Sequence, residues 1–246
     1  MSAQVERHDG RRADELRPVT IEPGFVSTAT GSALISCGGT RVICTASIEE
    51  GVPRWRTGKG LGWLTSEYGM LPASTGERKA RDISKGRLDG RTVEIQRLIG
   101  RCLRGVIDYE QLGEMTINID CDVLEADGGT RCVSITGAYV ALALGLEALM
   151  AEGKLSNIPL NGQVAAVSCG IVGDTPLLDL NYIEDSSAEV DANVVMTGDG
   201  GLIEVQATAE KTALQRTHLD DLLVLAAAGI DELRIAQDAA IAAGSR

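Results

Sequence analysis

The stretch Asp127-Gly128-Gly129-Thr130-Arg131 carries residue types that bind an anion, at the spacing a backbone loop needs. Two adjacent glycines permit a tight turn and a close approach of main chain to ligand. The apolar run from Cys132 reads as a helix, whose N-terminal N–H groups would face that ligand. Thr130 adds a hydroxyl, and Arg131 a forked cation that matches phosphate oxygens. An ordinary strand-to-helix turn, with Arg131 paired to a neighbouring acid, fits the spacing equally well. It is not a Walker A loop, because the G-x-x-x-x-G-K-[ST] spacing is absent. A second arginine, Arg91 in Gly90-Arg91-Thr92, opens another helix. A cation there opposes the helix dipole unless an anion sits beside it.

A third cluster is acidic: Asp179, Glu184 and Asp185, followed by Glu189 and Asp191. Strand alternation through Asp179 and a turn ending at Glu184-Asp185 can bring two carboxylates together. Such a pair suits a hard divalent cation such as Mg²⁺, or acid/base work. An acidic loop between strands is the plainer alternative. His8 and His218 are too few and too far apart for a His-based triad, and no G-x-S-x-G elbow exists. Covalent nucleophilic catalysis therefore has little support.

These clusters must be positioned by regular elements. Residues 19–21, 33–37 and 41–48 have strand composition, and Gly38-Gly39 between the last two signals a hairpin. Residues 52–68, with Gly58, Gly60 and Gly62, read as an extended loop or irregular hairpin, and 70–90 as a long basic loop. Helical spacing follows over 91–107, and strict alternation over 116–123 predicts a strand. The apolar helix after Arg131 runs to about Met150. Residues 164–171, 177–180, 192–197 and 202–207 read as strands, and 218–240 as a closing helix. No Pro-, Ser- or charge-rich linker divides the 246 residues, so residues 1–246 read as one domain of α+β class.

The net charge of −12 argues against a nucleic-acid partner, because phosphate backbones repel a net anion. Split along the chain, the figure changes meaning. Residues 1–104 hold 17 Lys+Arg against 12 Asp+Glu, a net of +5, and residues 105–246 carry −17. The basic excess gathers at 78–104, where nine Arg and Lys face three acids. Most of these are expected on a solvated or ion-paired face; a local phosphate-binding strip is the functional alternative. Only 3 % of the chain is aromatic, so the core must be aliphatic. Six scattered cysteines, with no C-x-x-C, read as reduced core residues of a cytoplasmic protein. The N-terminus lacks the apolar stretch of a signal peptide, and residues 132–151 read as a buried helix rather than a membrane span.

The clusters occur in a familiar order. RHDGR (7–11), DELRP (14–18), GWLTSEY (62–68), GRT (90–92), EIQRLIGR (94–101), IDCDV (119–123), ADGGTR (126–131), SITGA (134–138) and NVVMT (193–197) all match in register. Across almost its whole length the chain resembles ribonuclease PH, the bacterial phosphorolytic 3′-to-5′ exoribonuclease family. The resemblance implies a duplicated β-α-β fold with mixed sheets packed by helices, and a homo-hexameric ring built as a trimer of dimers. It implies that inorganic phosphate removes nucleotides from RNA 3′ ends, chiefly of tRNA precursors, releasing nucleoside 5′-diphosphates; the reverse reaction adds nucleotides. It maps the phosphate site onto Arg91, Gly129, Thr130 and Arg131. The catalytic carboxylates, with a divalent cation such as Mg²⁺ between them, fall on Asp179 and Asp185, and RNA contacts on Arg78 and Arg81. A phosphate nucleophile needs no Ser, His or Cys machinery, which agrees with its absence.

The sequence departs from the family pattern at several positions. LPAST (71–75) carries Ala73 where a basic residue is usual, and DLNY (179–182) carries Asn181 where Asp is usual. ATAEK (207–211) ends in Lys211 instead of Gly, and Leu214 stands where Phe is common. These departures favour one alternative, a ring-forming RNA-binding scaffold that has lost catalysis. A small-molecule phosphate enzyme is a third reading, which the basic loop at 78–87 opposes. The intact phosphate-site residues favour an active enzyme.

Overall fold

The computed structural model describes residues 7–81, 84, 86, 87, 89–210 and 213–245. Its first sheet grows from the anticipated hairpin. β2 (Gly31–Cys37) and β3 (Thr40–Glu50) pair antiparallel with Cys37 opposite Thr40, and Gly38 turns at φ +54° between them. β5 (Met115–Glu125) lies against β3, with Ile117, Ile119, Cys121 and Val123 all buried. β1 (Val19–Pro23) forms one edge, and β4 (Trp63–Met70) the other, giving the order β1-β2-β3-β5-β4.

β4 runs parallel to β5, and a parallel pair needs a crossover. α1 (Gly90–Arg104) and the short α2 (Tyr109–Leu112) supply it. Reading 52–68 as an extended loop or irregular hairpin thus leaves open where this strand begins. β4 is an edge strand that buries mainly Leu64 and Tyr68, so its alternation is faint beside the glycines that precede it.

The second sheet, order β7-β6-β8-β9, is antiparallel throughout. It consists of β6 (Val164–Val172), β7 (Thr175–Leu178), β8 (Val190–Thr197) and β9 (Leu202–Ala209). β7 ends two residues earlier than the expected 177–180, because Asp179 turns into the left-handed region at φ +52°. The short helix α4 (Tyr182–Ser187), which periodicity could not reveal, follows at once.

Between the sheets lies α3 (Thr130–Ala151), packed on β2, β3 and β5 on one side and on β6 and β8 on the other. Being covered from both sides, it is apolar almost all round. By length and composition it could cross a membrane, but 89 % of its most apolar window is buried inside the protein. Ile135, Leu142 and Leu146 are wholly buried, each worth about 1.5–3 kcal/mol of transfer free energy. The approach is close enough that a Cβ at Gly31 would sit 2.2 Å from the Ala141 carbonyl oxygen. α5 (Arg216–Gly244) covers β6, β7 and β1 and extends past the expected 218–240 at both ends. Each sheet is thus followed by a long helix packed on it, an α+β architecture in which α3 delivers its N-terminus to one end of both sheets.

Candidate active site

The glycine loop leaves β5 at Glu125 and enters α3 at Thr130. Gly128 (φ +80°) and Gly129 (φ +64°) are consecutive left-handed residues, which glycine tolerates without strain. A Cβ on Gly128 would lie 2.6 Å from the Leu180 carbonyl oxygen, so the loop and the start of α4 touch. The first helical hydrogen bond runs from Val133 N–H to Gly129 O, at 3.0 Å. The N–H groups of Thr130, Arg131 and Cys132 therefore precede the helical ladder. No side chain caps this end and no acid sits in its first turn, so its positive dipole is not offset from within the helix. The Tyr68 hydroxyl donates to Thr130 Oγ1 at 3.0 Å and fixes that hydroxyl from β4.

Gly128, Gly129 and Thr130 line a cleft of about 740 Å³ together with Arg91, Lys79, Tyr182 and Asp185. Arg91 reaches it as an exposed residue in the first turn of α1. Arg131 is held to one side, its Nη1 donating to Gln206 Oε1 on β9 and its Nη2 lying 3.4 Å from Glu94 Oε2. The plainer expectation for Arg131, a neighbouring acid, is thus partly met; yet both Arg91 and Arg131 exert their charge on Asp185 and Asp191.

Those two acids form the carboxyl pair. Asp185 on α4 and Asp191 at the start of β8 lie close enough for the charge of one to act on the other. Burial raises the Asp185 carboxyl above its ordinary value, against the pull of Arg91 and Arg131. Burial and then the Asp185 charge push Asp191 up to about 6. Both shifts run the same way, so each carboxyl keeps its proton to a higher pH than an isolated one would.

Asp179 is placed elsewhere. Its carboxylate accepts from Arg17 N–H (2.8 Å), Nε (2.9 Å) and Nη2 (2.7 Å), beneath the glycine loop. Burial alone would raise it, but these bonds and the Arg17 charge hold it below the ordinary carboxylate range. Asp179 and Asp185 are therefore not brought together: Asp185 borders the cleft and Asp179 does not. Among the described residues no group of three or more His, Cys, Asp and Glu could hold a metal. Asp185 lines the cleft and Asp191 lies within its electrostatic reach, so these two carboxylates are the ones that would face a hard divalent cation beside the glycine loop, with Glu77 on the opposite loop wall. A pair of this kind matches the usual Mg²⁺ arrangement, one or two carboxylates completed by substrate oxygens and water.

Family models for the two domains of the 3′ exoribonuclease family match residues 15–145 and 162–229. The chain belongs to the 3′ exoribonuclease, or ribonuclease PH, family. Solved structures share its fold at low identity. Rice (Oryza sativa) Rrp46 is 18 % identical with a TM-score of 0.79, covering 96 % of this chain and 100 % of its own. An Archaeoglobus fulgidus exosome with RNA bound to the active site is 24 % identical, TM-score 0.79, covering 93 % and 91 %. An archaeal exosome core is 23 % identical, TM-score 0.76, covering 95 % and 91 %.

Within this ribonuclease PH frame the departures find their places. Asn181 is the N-cap of α4: its Oδ1 accepts from Glu184 N–H at 3.0 Å, while Glu184 Oε2 accepts from Asn181 N–H at 3.1 Å. Asn181 is buried, and its amide faces His8 and Asp9, so it is not a charge lost from between two acids at the cleft. Ala73 is exposed in the turn closed by Ser74 N–H on Leu71 O. Arg78 and Arg81 are exposed, with no ion pair among the described residues, and flank Thr75, Gly76, Glu77 and Lys79, which wall the cleft. Lys211 lies outside the described residues. Sequence reasoning passed over Lys79, and over Asp191 as the partner of Asp185. An acid opening an otherwise apolar strand was the available signal for the latter.

Proposed function

We propose that this protein is a phosphorolytic 3′-to-5′ exoribonuclease and nucleotidyltransferase acting on RNA 3′ ends, those of tRNA precursors foremost. One observation carries the reading: Arg91, the uncapped N-terminus of α3 and Asp185 meet at one cleft, with the charges of Arg131 and Asp191 acting from beside it. Arg91, Arg131 and the first N–H groups of α3 neutralise and aim the incoming inorganic phosphate, so that two anions can approach. A phosphate oxygen bonds to the terminal phosphorus, and the bond from that phosphorus to the 3′ oxygen of the preceding nucleotide breaks. The departing oxygen becomes a 3′ hydroxyl, taking a proton that the Asp185–Asp191 pair is placed to hold. The product is a nucleoside 5′-diphosphate. Asp185 and Asp191 are also the residues that would hold a divalent cation such as Mg²⁺, which when bound neutralises phosphodiester charge. Arg78 and Arg81 extend the positive wall towards the RNA. A homo-hexameric ring is the assembly this reading takes, supported by the fold shared with exosome cores.

The test is product identity on a tRNA carrying a 3′ extension. Diphosphates, appearing only with added phosphate, are expected, with a loss of about 100-fold or more in Arg131→Ala. RNA binding without release of any nucleotide at saturating phosphate and Mg²⁺ would establish the scaffold reading instead. Nucleoside monophosphates would mean water, not phosphate, is the nucleophile.

A further inference from the structure

The phosphate-facing loop is braced from behind by side chains that do not line the cleft. Arg17, buried, donates from Nη1 to the Asp127 carbonyl and approaches the Gly128 carbonyl with Nη2 at 3.5 Å. A Cβ at Gly129 would lie 3.3 Å from the same Nη2, so the guanidinium packs directly against the turn. Asp179 clasps that guanidinium through both carboxylate oxygens. Thr40, on β3, adds a second support: its hydroxyl donates to Gly128 O at 2.7 Å and accepts from Asp127 N–H at 2.8 Å.

The brace continues to the other wall of the cleft. Arg7 Nη2 and Arg11 Nη1 each donate to the Asp179 carbonyl at 3.0 Å. Arg7 also forms a two-pronged pair with Glu184, 2.7 Å at each oxygen, next to Asp185 in sequence. One buried network thus joins the glycine loop to α4. Asp179 sits in it at φ +52°, a conformation a non-glycine residue keeps only when its surroundings impose it.

We propose that Asp179 and Arg17 are a positioning pair that sets the Gly128–Thr130 backbone against the bound phosphate, and that neither touches the reacting atoms. A carboxylate whose two oxygens already accept three bonds from Arg17 has little left to offer a cation or a leaving group. Loss of the pair frees the loop to shift, and an ångström of displacement is enough to weaken a preorganised anion cradle severely. The inference rests on the phosphorolytic reading only for the anion's identity, inorganic phosphate.

The test compares Asp179→Asn, Arg17→Lys, Arg17→Ala and Thr40→Val in the full chain, with folding checked by circular dichroism. Asn tolerates the left-handed conformation, so Asp179→Asn removes charge and little else. The KM for phosphate should rise about 10-fold or more, with kcat at saturating phosphate within about 3-fold of wild type. Arg17→Lys should recover part of what Arg17→Ala loses. A kcat reduced about 100-fold at unchanged phosphate KM would instead make Asp179 a catalytic residue and overturn the proposal. So would unchanged kinetics.

Calorimetric titration of inorganic phosphate separates this inference from the proposed reaction. If wild type binds phosphate, Asp179→Asn binds it more weakly and neither releases diphosphate, the positioning pair stands and the reaction falls. If wild type degrades RNA with phosphate and Asp179→Asn binds phosphate as tightly as wild type, the positioning pair falls alone. Should the Arg17 and Asp179 variants fail to fold, Thr40→Val decides on the same measurements.

Discussion

Asp191, beside Asp185, is an acid whose charged form works against stability. Burial and mutual repulsion push Asp191 up to about 6, above the ordinary value of about 4 that it has in the unfolded chain. Between those values the native state binds more protons than the unfolded one, so stability falls as pH rises through this window. Asp191→Asn removes the repulsion. Water partly screens this half-buried group, so the variant should be more stable by about 1 kcal/mol above pH 6, or about 2–4 °C in Tm. Below about pH 4 the difference should vanish, since both forms are then neutral. Its phosphorolytic activity should drop at the same time. Melting curves at pH 7.5 and pH 4 check the sign; a variant less stable at both would mean that the carboxylate makes a favourable contact.

At the scale of elements, α3 joins two tasks in one helix. Its body fills the core between the sheets, and its first turn has no side-chain cap. α4 shows the opposite choice, closing its own N-terminus with the reciprocal Asn181–Glu184 bonds. That cap explains why Asn can stand where the family usually has Asp: both side chains accept from the N3 amide. Asn181→Asp should therefore alter Tm by no more than a degree or two, while Asn181→Ala should cost about 1 kcal/mol by denaturant unfolding. A large activity gain in Asn181→Asp at unchanged stability would restore a role for this position in the chemistry.

For the whole molecule, net charge is a poor guide to partners. The chain carries −12, yet the lining of its cleft includes Arg91 and Lys79 as well as Glu77 and Asp185, with exposed Arg78 and Arg81 beside it. Grip on a single-stranded 3′ end should then depend on a few local contacts and weaken with salt. Each phosphate contact contributes roughly 0.7 to the slope of log K against log salt. The double variant Arg78→Ala/Arg81→Ala should flatten that slope by about 1.4 if both arginines contact phosphates, measured by fluorescence anisotropy on a short RNA. An unchanged slope would place the RNA path elsewhere on the molecule.

Local patterns made much of this legible in advance. The hairpin at Gly38-Gly39, the alternating β5, the apolar α3 and the glycine loop that opens it depend on neighbours within a few residues, where backbone sterics and periodicity act. β4 and α4 escaped because an edge strand with one buried face and a helix of six residues leave little periodic trace. The acidic cluster shows the limit most clearly. Asp179, Asp185 and Asp191 are equivalent in sequence, all acids in one short stretch. Only the tertiary structure divides them. It folds Asp179 back onto Arg17, 162 residues earlier, and leaves Asp185 and Asp191 within reach of the Arg91 and Arg131 charges. Composition and spacing pointed to an anion-binding loop and to a cluster of carboxylates. Which carboxylate braces and which faces the cleft was decided by long-range ion pairs, because a charge's role follows from the partner that burial gives it.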